Sequence, residues 1–318
     1  MQLGLLTTIE GYPLAYEVYE WNKFEGHTII DVLEKFQKKF LLSHKPIVVA
    51  DRGMLSNCNL IELSKAGYQY IIAARIKSLK DSLKEKITNL VFLSDMDTKE
   101  ILLDKELICK EKNKIKDKET IKQRLILSYS TQRVKKDRYL REKAFKKLKE
   151  KIEKSNNITK SDLKLSHYAK FLDLDENCKI EFKLNLEKVT QDEKLDGIKG
   201  FITNNFSLKH QEIIEHYKNL WHIEKAFRIS KTDLKIRPIY HSIAHRIKAH
   251  ILISFVAYAI YMEFERKLKQ NNVTLPFSRK ILRDMIKHIF AIELDDETIP
   301  LNLSKIQQQI FDAICSDS

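Results

Sequence analysis

Two hydrophobic rhythms share the first 75 residues. Short β-rich runs cover Leu3 to Ile9 and Pro13 to Tyr19, parted by the hairpin-like turn Glu10-Gly11-Tyr12. Between Thr28 and Phe40 the apolar residues Ile29, Ile30, Val32, Leu33 and Phe36 recur with helical spacing, which predicts an amphipathic helix. Lys45 to Ala50 reads as a buried strand that ends at Asp51-Arg52-Gly53. Leu55 to Ala66 reads as a helix stopped by Gly67, and Tyr68 to Ala73 as a further strand. The order β-β-α-β-α-β predicts an α/β layer over residues 1–75.

The pattern then changes. Residues 76–205 are lysine-rich, poor in proline and glycine, and contain β-like runs at Arg124 to Tyr129 and Ile180 to Val189. Thr131 to Lys160 carries 12 Lys and Arg against 4 Asp and Glu, and reads as a long exposed helix. The stretch is read as an insertion into the α/β layer, with a separate small domain as the alternative on composition. From residue 206 to 268 the pattern is helical. Leu208 to Asp233 forms one helix or two abutting ones, Pro238 interrupts, and a strongly apolar helix runs from about Ile239 to Lys269. Residues 269–318 read as a helical tail.

Composition narrows the class. Of 318 residues 43% are hydrophobic, enough for a sizeable core, and Lys+Arg 57 against Asp+Glu 44 gives a net charge of +13. Such an excess favours polyanionic partners: DNA, RNA or an anionic membrane surface. Cys58, Cys109, Cys178 and Cys315 form no C-x-x-C pair and are far apart, so a disulfide framework or zinc ribbon is not expected, and the reducing cytoplasm is the default location. The longest apolar run, Ile251 to Met262, has 12 residues, too few to span a bilayer, and reads as a buried helix.

Two constellations could carry chemistry. Asp51 stands at the carboxyl end of a buried strand, the rim where open α/β sheets present ligands; as a plain turn or helix-capping residue it would look the same. Tyr217, Glu224 and Lys231 are seven residues apart, and two helical turns take about 7.2, so on a continuous helix they share a face. Arg228 lies one turn beyond Glu224 on that side. A hydroxyl, a carboxylate and two cations so aligned could hold a metal and clamp phosphates, although a solvated face with one Glu–Arg pair has the same pattern. His241 and His245 have the spacing of some zinc helices but no evident third ligand.

Several of these segments together resemble one family. Ile47-Val-Val-Ala-Asp51-Arg-Gly-Met54, followed by Asn59-Leu and Gly67-Tyr-Gln-Tyr-Ile-Ile72, is similar to the second-aspartate region of insertion-sequence DDE transposases of the insertion-sequence-four superfamily. Tyr217, Glu224 and Lys231 match that group's Tyr-x2-Arg-x3-Glu-x6-Lys signature, with Leu220 at the arginine position, as in the branch with a long β insertion. Asp196-Gly197, Thr203-Asn204, Leu234 to His241 and His245-Arg246 also resemble that branch.

The resemblance implies a ribonuclease-H-like α/β core with a β-rich, basic insertion and a helical C-terminal part. It implies phosphoryl transfer on double-stranded DNA at insertion-sequence terminal repeats, and a homodimer. Asp51 and Glu224 would be the catalytic and metal-binding residues for Mg²⁺ or Mn²⁺. Tyr217, Arg228, Lys231, Arg237, Arg246 and Lys248 would contact DNA, and residues 222–250 carry 7 Lys and Arg against 2 Asp and Glu.

The family's first catalytic aspartate lies on a strand upstream of the one matched by Leu3 to Ile9, and no residue here takes that role; Asp31 falls in a predicted helix. The expectation is an N-terminally truncated transposase whose core lacks its first, central strand. Such a chain would be unstable by itself and inactive for cleavage unless another polypeptide supplied the strand. A non-catalytic DNA-binding remnant or regulator, and a nuclease of related fold, are the alternatives.

Overall fold

The computed structural model describes residues 2–8, 11–19, 29–41, 43–50, 55–111, 114–154, 172–173, 183–228, 241, 243–273, 290–294 and 297–315. In chain order the strands are β1 (Gln2–Thr7), β2 (Pro13–Tyr19), β3 (Val48–Ala50), β4 (Tyr70–Ala74), β5 (Thr98–Glu111), β6 (Lys114–Tyr129), the short pair β7 (Leu172–Asp173) and β8 (Lys183–Leu184), β9 (Ile198–Thr203), β10 (Phe290–Leu294) and β11 (Glu297–Leu301). The helices are α1 (Ile29–Lys39), α2 (Asn57–Lys65), α3 (Asp81–Thr88), α4 (Thr131–Lys154), α5 (Leu186–Glu193), α6 (His210–Lys218), α7 (Leu220–Arg228), α8 (Ala244–Gln270) and α9 (Lys305–Cys315). The chain divides into two compact units: residues 25–217, and residues 1–24 with 218–318. These limits differ from the sequence blocks ending at 75, 205 and 268.

The unit of residues 25–217 is built on a five-stranded mixed sheet of order β3-β4-β9-β6-β5, parallel only between β3 and β4. Strands from residues 76–205 therefore continue the sheet that β3 and β4 begin, with β9 hydrogen-bonded to β4 on one side and β6 on the other. Successive residues of a strand face opposite ways, and both faces are apolar. Tyr70, Ile72, Leu125, Leu127 and Ile202 join Leu60, Ile61 and Leu63 of α2 in one core cluster. Ile71, Ile126 and Phe201 join Ile213 and Ile214 of α6 in another. This double burial explains why Tyr70–Ala74 reads as a continuous apolar run. Among the described residues β3 pairs only with β4, so its other side is an open edge.

Three expectations for this unit need correction. Cys58 of α2 and Cys109 of β5 are joined in a disulfide with their Cα atoms 4.6 Å apart, although 51 residues separate them in sequence. The packing of α2 on β5, which brings the two thiols together, leaves no mark in cysteine spacing. Closing a loop of this length stabilises a fold by about 2–4 kcal/mol. Cys58→Ser is accordingly expected to lower the thermal midpoint in buffer without reductant, and adding dithiothreitol to the unsubstituted chain should do the same. Equal midpoints with and without reductant would remove the bond from the fold's stability. Secondly, among the described residues of the β-like run Ile180 to Val189, β8 holds two and α5 begins at Leu186. The Asn185 side chain accepts from the Lys188 N–H at 3.0 Å, and this cap starts the helix where β propensity alone would continue the strand. Thirdly, the run of β5 was not read as a strand: the charged residues Asp104, Glu106 and Lys110 at its exposed positions break up its apolar composition.

In the other unit β1 and β2 form an antiparallel hairpin, and among the described residues β1 has no other partner. The ring of Tyr16 of β2 packs tilted against that of Phe255 of α8, their centres 4.9 Å apart, and the Tyr258 hydroxyl donates to the Gly11 carbonyl at 2.8 Å. Gly11 has φ +88°, a conformation that L side chains rarely adopt, so the turn needs glycine there. Helix α8 is long and apolar enough, by length and composition, to cross a membrane. It buries Ile251, Ser254, Tyr258 and Met262 along one stripe and exposes Leu252, Ile253, Val256 and Ile260. At its end Leu268 packs with Ile310 and Ala313 of α9. The tail is not wholly helical: β10 and β11 form a hairpin before α9. The alternation Phe290-Ala-Ile-Glu-Leu294 has a strand's period, and it prevails over the helical reading of the surrounding tail.

Candidate functional site

Asp51 follows Ala50 in sequence, and Asp51 to Met54 lie outside the described residues. What is described is the approach to it. Ala50 is buried and stands opposite Ile72 in the parallel β3–β4 pair. The carboxyl ends of β3 and β4 therefore share one edge of the sheet, where an open α/β sheet can present polar side chains without burying them.

The helical signature divides. Helix α6 ends at Lys218 and α7 begins at Leu220, with Asn219 between them accepting the His222 N–H at 3.0 Å. A common face for Tyr217 and Glu224 requires one uninterrupted helix, so spacing no longer aligns them. Tyr217 is half-buried, its ring 5.0 Å from that of Phe201. Glu224 is exposed on α7. The neighbouring Lys225 forms an ion pair with Glu265 of α8 at 2.8 Å, fixing α7 on α8. Arg228 is the last residue of α7, and its side chain lies outside the described residues, as do Lys231 and Arg237 entirely. Arg246 and Lys248 are exposed near the start of α8. The rings of His241 and His250 are 5.8 Å apart, and among the described residues no group of three His, Cys, Asp or Glu side chains could hold a metal.

Two ionic clusters escaped the sequence reading. Arg124 of β6 makes a two-pronged pair with Glu100 of β5, Nε to Oε1 at 3.0 Å and Nη2 to Oε2 at 2.9 Å. Its Nη1 donates to the carbonyls of Asn205 at 3.1 Å and Leu208 at 2.8 Å, and His210 Nε2 lies 2.7 Å from Glu100. Arg141 of α4 binds Asp196 through both terminal nitrogens, at 2.9 and 2.7 Å, and Glu193 at 3.1 Å. Lys77 reaches Asp192 and, at 2.9 Å, Asp196. Burial pulls the Lys77 pKa down, but its bonds to the two aspartates outweigh that and leave it raised. The i,i+4 spacing of Asp192 and Asp196 was the available signal.

Two further motif segments, at Gly197 and Asn204, have structural duties here. Asn204 accepts from the Tyr70 N–H at 2.9 Å and donates to the Tyr68 carbonyl at 3.1 Å, extending the β4–β9 ladder with a side chain. Gly197 has φ +81°, and a Cβ there would run into Val134 of α4. A cavity of about 540 Å³ opens at the carboxyl end of β4. Ala73 to Ser78, the first turns of α4, the start of β9 and Tyr217 surround it.

The transposase DDE domain family matches residues 2–260, from the β1–β2 hairpin into α8. No curated protein matches the chain. Domains of this family act on DNA in transposition and generally use divalent metal ions. The match spans well over half of the sequence and includes both Asp51 and Glu224, and on that ground the chain belongs to the transposase DDE domain family.

Proposed function

We propose that the chain serves DNA transposition, in which strands are cleaved and transferred at insertion-sequence ends with the help of metal ions, and that it supplies Asp51 and Glu224 as two of the metal-holding carboxylates while being inactive for cleavage by itself. The observation that carries this is the parallel β3–β4 pair inside the family match, because Asp51 follows directly on the carboxyl end of β3. A ribonuclease-H-like core is the finer fold reading, and the open edge of β3 is the side at which its first strand would pair. The donor set fits a hard cation: Asp51 and Glu224 supply oxygen ligands, and Glu224 is open to solvent, as suits an ion that keeps several waters. Bound there, Mg²⁺ or Mn²⁺ would supply Lewis-acid stabilisation of charge on the reacting phosphate. Arg246 and Lys248, exposed on α8, are proposed to hold the DNA backbone together with Tyr217, Arg228, Lys231 and Arg237. Terminal repeats of an insertion sequence are the proposed DNA partner, engaged by a homodimer.

Metal affinity tests the carboxylates directly. In a Mn²⁺ titration followed by electron paramagnetic resonance, Asp51→Asn and Glu224→Gln are each expected to weaken binding at least about tenfold. Unchanged affinity in both variants would overturn the assignment. DNA binding that persists beside such unchanged affinity would turn the reading to a non-catalytic DNA-binding regulator.

A further inference from the structure

Helix α4 is held along one side and bare along the other. Val134, Asp137 and Arg141, spaced three and four residues apart, share its anchored face. Asp137 accepts the Gly197 N–H at 3.2 Å, Val134 closes over Gly197, and Arg141 binds Asp196 and Glu193. Successive residues of a helix turn by about 100°, so Lys135, Lys136, Tyr139, Lys143, Lys146 and Lys147 fall within an arc of about 120° on the opposite face. All six are exposed. The five lysines make no ion pair among the described residues, and no acid between Lys135 and Lys147 falls in the arc. Glu142 stands at its margin and pairs with none of them.

Solubility alone does not select such a face. Lys143 stands three residues from Lys146 and four from Lys147, spacings at which like charges repel and weaken a helix. Surfaces that need only solvation intersperse the two signs and avoid that repulsion. A face of one sign is relieved when a polyanion covers it. Tyr139 sits in the middle of the arc, exposed, with the Lys143 ammonium 5.6 Å from its ring centre. Its hydroxyl makes no hydrogen bond among the described residues, and tyrosine hydroxyls are among the groups that contact phosphate oxygens. From Lys135 to Lys147 the helix rises about 18 Å, a length over which a duplex presents about ten phosphate charges. The arc holds no aliphatic residue to enter a bilayer, which sets it apart from a helix built to lie on a membrane.

We propose that this face of α4 is an interaction surface for the sugar–phosphate backbone of double-stranded DNA, with Lys136, Lys143 and Lys147 along its centre and edge. The assignment rests on the transposition reading above and adds a surface that the signature residues do not include. Contacts to phosphates supply affinity and orientation without choosing a sequence, so the surface holds DNA whose sequence is read elsewhere. The Arg141 network on the opposite face keeps the helix in place under that load.

The test is binding of a fluorescent DNA duplex by the full chain over a range of salt, read by anisotropy. Lys136→Gln, Lys143→Gln and Lys147→Gln together are expected to weaken binding by about tenfold or more and to lower the slope of log K against log salt by about two to three. Glutamine has nearly the helix propensity of lysine and relieves the repulsion, so the thermal midpoint should stay at or above the parent's. Arginine at the same three positions keeps the charge and should keep the parent's affinity and slope; a loss there too would trace the effect to the helix itself and overturn the assignment. A charge-matched control, Lys86→Gln with Lys110→Gln and Lys122→Gln, takes exposed lysines from α3, β5 and β6 and is expected to lose about threefold at most. Substitutions in α4 that weaken binding no more than the control, or leave the slope unchanged, would overturn the surface while leaving the transposition reading intact. A parent chain that binds no duplex at all would overturn both. Tighter binding of the parent to duplex RNA, or sedimentation with phosphatidylserine vesicles that the glutamine variant loses while its DNA affinity is unchanged, would reassign the face and overturn DNA as its partner.

Discussion

Arg124→Ala is expected to destabilise the unit of residues 25–217 by about 3–5 kcal/mol, a large part of the 5–15 kcal/mol typical of a folded domain. Arg124 is 7% exposed and serves four acceptors on three residues: both oxygens of Glu100 and the carbonyls of Asn205 and Leu208. Truncation leaves the carboxylate with His210 but without its two-pronged partner and takes a donor from two carbonyls, so the loss exceeds the worth of any single bond. Arg124→Lys keeps the charge without the fork and should fall between the parent and the alanine variant. Urea denaturation followed by circular dichroism measures the change, and a midpoint unaltered by Arg124→Ala would sink the assignment.

The same pair sets an acid limit. The hydrogen bond from Arg124 holds the Glu100 carboxyl below its ordinary range, against the opposing effect of burial and with further help from His210. A carboxyl depressed on folding stabilises the fold above its unfolded value, about 4.3, and that contribution is lost as pH falls through the lower folded value. Arg124→Ala should therefore flatten the dependence of stability on pH below about 4.3 as well as lower the plateau.

The second large effect is expected at Arg141, whose side chain is 5% exposed between two aspartates that are 9% and 6% exposed. Its hydrogen bond to Asp196 raises its already high pKa further, so it is a permanent cation. Arg141→Ala leaves Asp192 and Asp196 buried without their arginine, a loss of about 3–5 kcal/mol. Because the penalty is an unpaired buried charge, Asp196→Asn in the Arg141→Ala background should recover part of it, and a double-mutant cycle measures that part. Strictly additive losses would show that the pair is not coupled. Destabilisation here should also loosen the first turns of α4, visible as faster amide exchange over residues 131–141.

How far the sequence reveals this molecule depends on where each structural cause lies. The β-β-α-β-α-β order of the first 75 residues is legible because each element carries its own rhythm, and its strands and helices fall within a few residues of the expected places. The role of β9 is not legible: Ile198–Thr203 joins two parts of the sheet, and nothing in six residues announces which neighbours they will have. The disulfide is hidden for the same reason, since it depends on α2 packing against β5. For the site, spacing selected Tyr217 and Glu224 but assumed a helix that Asn219 interrupts.

The position of β9 also sets the order in which the chain can acquire its structure. Ile71 of β4 pairs with Thr203 of β9, 132 residues later, whereas β5 and β6 meet across a turn. Local pairings close quickly, and distant ones wait for the loop between them to be formed and gathered. During synthesis β4 and the β5–β6 hairpin emerge long before the strand that joins them, and each exposes an apolar edge in the meantime. The sheet on which the proposed metal site depends is thus completed late, and the time spent with those edges open is the period in which the nascent chain is most exposed to aggregation.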